Sequence, residues 1–140
     1  MNYESFALGI QQFNQRQFYE CHDTLEAIWI EAPEMDKRFY QGILQVAVAC
    51  HHLSNHNLRG AMILLGEGIR RLSDYQPDYQ NIDVTMLLEE SMNLLQTLQQ
   101  IEPDRVDDLV QQLFSSTQNS DNTVESCKLP QLVVLESQNN

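Results

Sequence analysis

Three side chains in the first third of the chain have the types and spacing to do chemistry. His22, Glu26 and Trp29 recur at i, i+4 and i+7, the spacing of one helix face. Phe18 and Leu25 flank that face, so it is expected to point into a core and carry an imidazole and a carboxylate with it. A histidine beside a glutamate suits general acid–base transfer on a small molecule, with Trp29 and Tyr19 as walls. The same pair suits metal binding. Further along, Gln41, Gln45 and His52 fall within about 40° of one another on a helix turning about 100° per residue. His52 and His56 form another i, i+4 pair. Two histidines and a carboxylate can hold zinc or iron with a coordination position open. His22, Glu26, His52 and His56 are therefore candidate ligands of a divalent metal, although the segment reads HDTLE and not HExxH, and spacing alone commits to no metal. A structural reading stands beside these: Glu26 accepts from His22 or Trp29, and the glutamines tie one helix to the next in a satisfied network. No nucleophile stands out. Cys21 precedes His22, but neighbouring helical residues point about 100° apart.

The elements that would position these groups are helical. Phe39 to Leu53 (FYQGILQVAVACHHL) is apolar around nearly its whole circumference, as a helix buried on all sides must be. It is the expected centre of the domain. Phe18 to Ile30 precedes it and ends at Pro33. A loop around Glu31 to Asp36 is short enough to make the two helices antiparallel neighbours. Packed so, the His22–Glu26 face would meet the Gln41, Gln45, His52 stripe, and the six residues His22, Glu26, Trp29, Gln41, Gln45 and His52 would form one polar cluster beneath an indole.

Around this pair, Tyr3 to Phe13 reads as a first helix with Asn14 as its left-handed stop. Asn57 is an N-cap for a fourth helix, in which Gly60 and Gly68 imply close approach of a neighbour. Ser73 to Ile82 is a polar connection, Asp83 caps a fifth helix, and Pro103 opens a short sixth. From Ser115 to Ser126 the composition turns to Ser, Thr, Gln, Asn and Asp, the signature of a flexible linker. Leu129 to Leu135 (LPQLVVL) is an isolated apolar segment that docks on the domain, pairs with another chain or stays disordered. The expected boundaries are a helical domain at 1–115 and a polar tail at 116–140.

Composition limits the partners. The 140 residues carry eight Lys and Arg against 20 Asp and Glu, a net charge of −12. Phosphate backbones and anionic membrane surfaces both demand the opposite balance, so neither nucleic acid nor membrane is an expected partner. A cation or a basic partner is favoured. Three widely spaced cysteines without a CxxC read as reduced thiols in a cytoplasmic protein. The N-terminus shows no secretory signal pattern, and no apolar run is long enough to span a bilayer.

Two runs carry a family resemblance. FNQRQFYECHDTLEAIW is similar to the signature FN…FYEAHE…LE..W, and YQGILQVAVACHHLSNHNLRGAMILL is similar to QGLIQ.A.A.YH…GN..GA..LL. Both mark the uncharacterised bacterial and plastid helical family called domain of unknown function, number 309. The matches include Phe13, Asn14, Phe18, Tyr19, His22, Glu26, Trp29, Gln41, Gly42, Gln45, His52, Asn57 and Gly60. They run from about Phe6 to Leu72, roughly half the chain. Asp23 stands where the family has Glu, His51 where it has an aromatic, and His56 where it has Gly. The resemblance implies an irregular helical bundle and no particular activity.

The expectation is thus an all-α, compact irregular bundle of five to six helices around a buried central helix, with a polar C-terminal tail. Its first functional reading is a non-enzymatic module that binds a protein or small ligand in the cleft between helices two and three. The alternative is a metal-dependent or acid–base, hydrolase-like enzyme using His22, Glu26 and His52.

Overall fold

Prolines and asparagines divide the chain into six α-helices in the computed structural model, which describes residues 3–115 and 127–135. They are α1 (Tyr3–Asn14), α2 (Phe18–Glu31), α3 (Glu34–Ser54), α4 (Leu58–Leu72), α5 (Val84–Gln100) and α6 (Val106–Phe114). The all-α bundle expected from the sequence is what forms. The central helix α3 starts at Glu34, five residues before the expected Phe39. Glu34 and Asp36 lie in its first turn, where carboxylates complement the helix dipole. Asn57 caps α4 by accepting from the Gly60 amide (3.0 Å). Asp83 caps α5 by accepting from the Met86 amide (3.0 Å). Asn14 is not the left-handed stop of α1: Arg16 takes that conformation, with φ 67°. The sixth helix follows a 3-10 turn at Pro103–Arg105.

The core forms around α3. Phe39, Ile43, Val46, Ala47 and Leu53 are each 0% exposed. α2 packs on one side of α3 and α4 on the other. The α3–α4 contact is tight at two glycines. A Cβ on Gly42 would lie 2.6 Å from Leu72 Cγ, and one on Gly68 would lie 2.9 Å from the Gly42 carbonyl oxygen. Gly68 therefore serves close approach, as expected. At Gly60 a side chain would meet first the capping Asn57 side chain, 2.6 Å away, and then the His52 ring of α3, 3.1 Å away.

The connection after α4 folds into a 3-10 turn, Ser73–Tyr75, and a two-residue antiparallel hairpin of β1 (Asp78–Tyr79) and β2 (Ile82–Asp83). Its turn residues Gln80 and Asn81 have φ 51° and 63°, both positive, as a type I′ turn requires. The Tyr79 ring lies against Phe39 and Tyr75, with centroids 4.9 and 4.6 Å away. Its hydroxyl donates to the buried carboxylate of Asp36. The segment Leu129–Leu135 docks on the domain. Leu129 and Leu132 join the core at 5% and 2% exposure, and Val134 bridges to Ile82 of β2. The expected flexible linker lies, from residue 116 to 126, outside the described residues.

The glycine contact gives a paired prediction. Gly42→Ala should destabilise the fold by about 1–3 kcal/mol through overpacking. Gly66 has nothing within 4 Å of a new Cβ, so Gly66→Ala should be neutral or stabilise by about 0.5–1 kcal/mol. Chemical denaturation of the two variants checks the contrast.

A second prediction concerns alkaline pH. The hydrogen bond to Asp36, and then burial, raise the Tyr79 hydroxyl from 10.0 to about 12. The fold prefers the neutral phenol. Its stabilisation is therefore complete below the ordinary value of 10.0 and is lost as pH rises through about 12. Phenolate absorbance should show one tyrosine titrating near 12, and that transition should be missing in Tyr79→Phe.

Candidate functional site

The polar residues named from the sequence separate onto two sides of α3. On the α4 side, Gln45 is 9% exposed. Its amide donates to Glu67 Oε1 (3.1 Å) and its carbonyl accepts from Arg71 Nη1 (3.1 Å). Glu67 and Arg71 stand one turn apart on α4 with Gly68 between them, so the close backbone approach brings both to Gln45. Arg71 is thus no solvated surface arginine: its side chain is 20% exposed. His52 also belongs to this side. Its Nδ1 lies 3.3 Å from the Asn57 side-chain nitrogen, and its ring edge abuts Gly60. Gln41 is half-buried.

On α2 the buried line is Phe18, Cys21 and Leu25, at 3%, 0% and 0% exposure. His22 and Glu26 each follow a buried residue by one position, which rotates them by about 100° toward the surface. His22 is half-buried and Glu26 is exposed. The expected hydrogen bonding between this face and the glutamine stripe does not form. Among the described residues, no hydrogen bond joins His22 or Glu26 to Gln41, Gln45 or His52, because α4 supplies the partners. His56 is separate again: at φ 64° in the loop before α4, its Nδ1 lies 2.7 Å from Asp107 Oδ1 of α6. Glycine would take this positive φ without the steric cost that a Cβ brings.

Trp29 is partly buried and packs against the core. Among the described residues its indole nitrogen is buried without a hydrogen-bond partner. Lys37 stands 5.3 Å from the ring centroid, within cation–π range. The same ammonium donates to the Trp29 and Ile30 carbonyls at 2.7 and 3.0 Å, closing the C-terminus of α2.

What α2 leaves open is a compact donor set. One ligand atom each from His22, Asp23 and Glu26 lies within 4.8 Å of the others. His22 Nδ1 is 3.2 Å from Asp23 Oδ1. Among the described residues, neither Asp23 nor Glu26 pairs with a lysine or arginine, unlike Glu67, Asp74, Glu90 and Asp108. The Tyr19 ring bridges the α2 and α3 histidines, with centroids 6.5 Å from His22 and 5.6 Å from His51. Asp23 and His51 were not among the sequence candidates. The available signal for Asp23 was a carboxylate next to the histidine in sequence.

The arrangement can coordinate a cation or exchange a proton through His22 at the surface. It offers no activated thiol: burial pushes both Cys21 and Cys50 up to about 12.

Comparison with known proteins agrees with the sequence motifs. A stretch of 58 residues is 41% identical to "Uncharacterized protein YpuF" of Bacillus subtilis (strain 168), and it covers 41% of this chain and 33% of that relative. The chain therefore spans about a third of that protein. The chain is similar to the family model described as "Domain of unknown function (DUF309)" over residues 6–64, from α1 into α4.

Proposed function

We propose that the chain is a non-enzymatic binding module whose working surface is the exposed α2 face next to α3, where His22, Asp23 and Glu26 take a divalent cation. The observation that carries this reading is the convergence of one imidazole and two carboxylates to within 4.8 Å. Three facts support it. The two carboxylates have no cationic side chain to neutralise them among the described residues. The whole chain bears a net charge of −12, which raises the local concentration of cations. A mixed nitrogen and oxygen donor set also suits zinc, manganese or iron(II), and three protein ligands leave positions open for water or for a carboxylate or phosphate of a small ligand.

The hydrolase-like alternative required His52 as a third active group, and His52 is engaged at Asn57 and Gly60 on the α4 side. A cytoplasmic setting is part of the proposal, supported by the free thiols of Cys21, Cys50 and Cys127.

Zinc titration of the metal-free full chain tests the reading. About one equivalent should bind. Even second-shell changes at metal sites cost about 10–100-fold, so His22→Ala and Glu26→Gln should each weaken zinc by about tenfold or more. His52→Ala should leave zinc affinity unchanged. Failure of the wild type to bind zinc, manganese or iron(II) would remove the proposal, and so would an equal loss in His52→Ala.

A further inference from the structure

The segment Leu129–Leu135 is held as a bound peptide is held. Its main chain carries most of the polar contacts. The Leu132 amide donates to Asn14 Oδ1 (2.8 Å), and the Leu132 carbonyl accepts from Asn14 Nδ2 (2.9 Å). One side-chain amide thus pairs with both backbone groups of one residue, as a neighbouring strand would. The Gln131 amide donates to Glu90 Oε1 (3.0 Å). Along the hairpin edge, the Val133 carbonyl accepts from the Asp83 amide (2.9 Å) and the Leu135 amide donates to the Asn81 carbonyl (2.8 Å). The segment therefore adds antiparallel to β2, the geometry of strand addition to a sheet edge. Side-chain anchoring is limited to Leu129, Pro130 and Leu132, which are buried, while Gln131 and Val134 face out. Lys128 adds a contact 3.3 Å from the other oxygen of Glu90.

We propose that the groove between α1, α5 and β2 is a peptide-binding site. Its ligand class is an extended segment of the pattern Leu-Pro-x-Leu-Val-Val, and the chain's own Leu129–Leu135 occupies it until a competing strand of that chemistry displaces it. Asn14 is the central reader of the peptide backbone. Glu90 takes the Gln131 amide and, through Lys128, a basic residue ahead of the leucine. Recognition through backbone groups, with two leucine pockets for specificity, asks nothing of a ligand that a second polypeptide cannot supply. The segment follows α6 after a stretch rich in Ser, Thr, Gln, Asn and Asp, and it buries three residues where the central helix α3 buries eleven. Such a segment opens at lower free energy than the domain as a whole.

The test uses the full-length chain and a fluorescent peptide of sequence Lys128 to Leu135. An internal occupant lowers the apparent affinity of an external one by the fraction of sites left free. Leu129→Ala/Leu132→Ala should therefore bind the peptide about tenfold or more tighter than the wild type. Adding Asn14→Ala to that variant should remove most of the gain, and a scrambled peptide should not bind. Native-state hydrogen exchange on the wild type gives a readout free of any substitution. The Leu132 amide should exchange about tenfold or more faster than that of Ile43 in α3, by an opening that leaves the helices closed. Three results would each overturn the proposal: no peptide binding by a folded double variant, loss of helical structure in that variant, or Leu132 exchange only through global unfolding.

Discussion

The contact between Gly42 and Gly68 sets the rest of the arrangement. With no Cβ at either position, α3 and α4 approach until the Gly42 carbonyl and the Leu72 side chain occupy the space a side chain would need. That distance fixes which polar residues can pair. It puts Glu67 and Arg71 of α4 within reach of Gln45, so the only strongly buried glutamine of α3 is satisfied from that side. α2 also packs on α3 and buries Phe18, Cys21 and Leu25 in the core, with Cys21 and Leu25 against Gly9 of α1 and Phe18 against Phe13. His22, Asp23 and Glu26 are consequently turned to the surface and remain available. The same logic runs through the hairpin. Asp36, buried at the start of α3, takes the Tyr79 hydroxyl and thereby fixes the β2 edge on which Leu129–Leu135 lies.

Much of the fold was legible in residue types. The apolar circumference of 39–53 marked the central helix because only complete burial tolerates it. The Asn57 and Asp83 caps were legible because their side chains satisfy amides that a helix start always leaves open. The all-α class followed from these periodicities. The hairpin at 78–83 was not visible, since its turn is Gln80–Asn81 without glycine and its strands are two residues each. Asn14 was visible as a special residue but its role was not, because a side-chain amide that pairs with a distant strand looks locally like a helix stop.

The candidate site was legible in part. His22 and Glu26 were found by spacing, and the structure keeps them together. Their grouping with Gln45 and His52 assumed that a polar stripe on α3 must face the preceding helix. α3 has two neighbours, and helical period alone does not say which neighbour takes the stripe. Glu67 and Arg71, flanking a glycine on α4, carried that information. A one-residue offset on α2 decided the rest: the buried series starts at Phe18 and Cys21, so the residues just after them face outward.

The central claim is that the open α2 face, and not the α3–α4 polar stripe, is where a cation is held. Paramagnetic broadening by substoichiometric manganese, read on the amide resonances of the full chain, tests it most directly. The account predicts loss of signal centred on His22, Asp23 and Glu26, reaching Tyr19 and His51 and sparing Gln45 and Asn57. Broadening centred on Gln45 and His52, or spread evenly over the acidic surface, would contradict it.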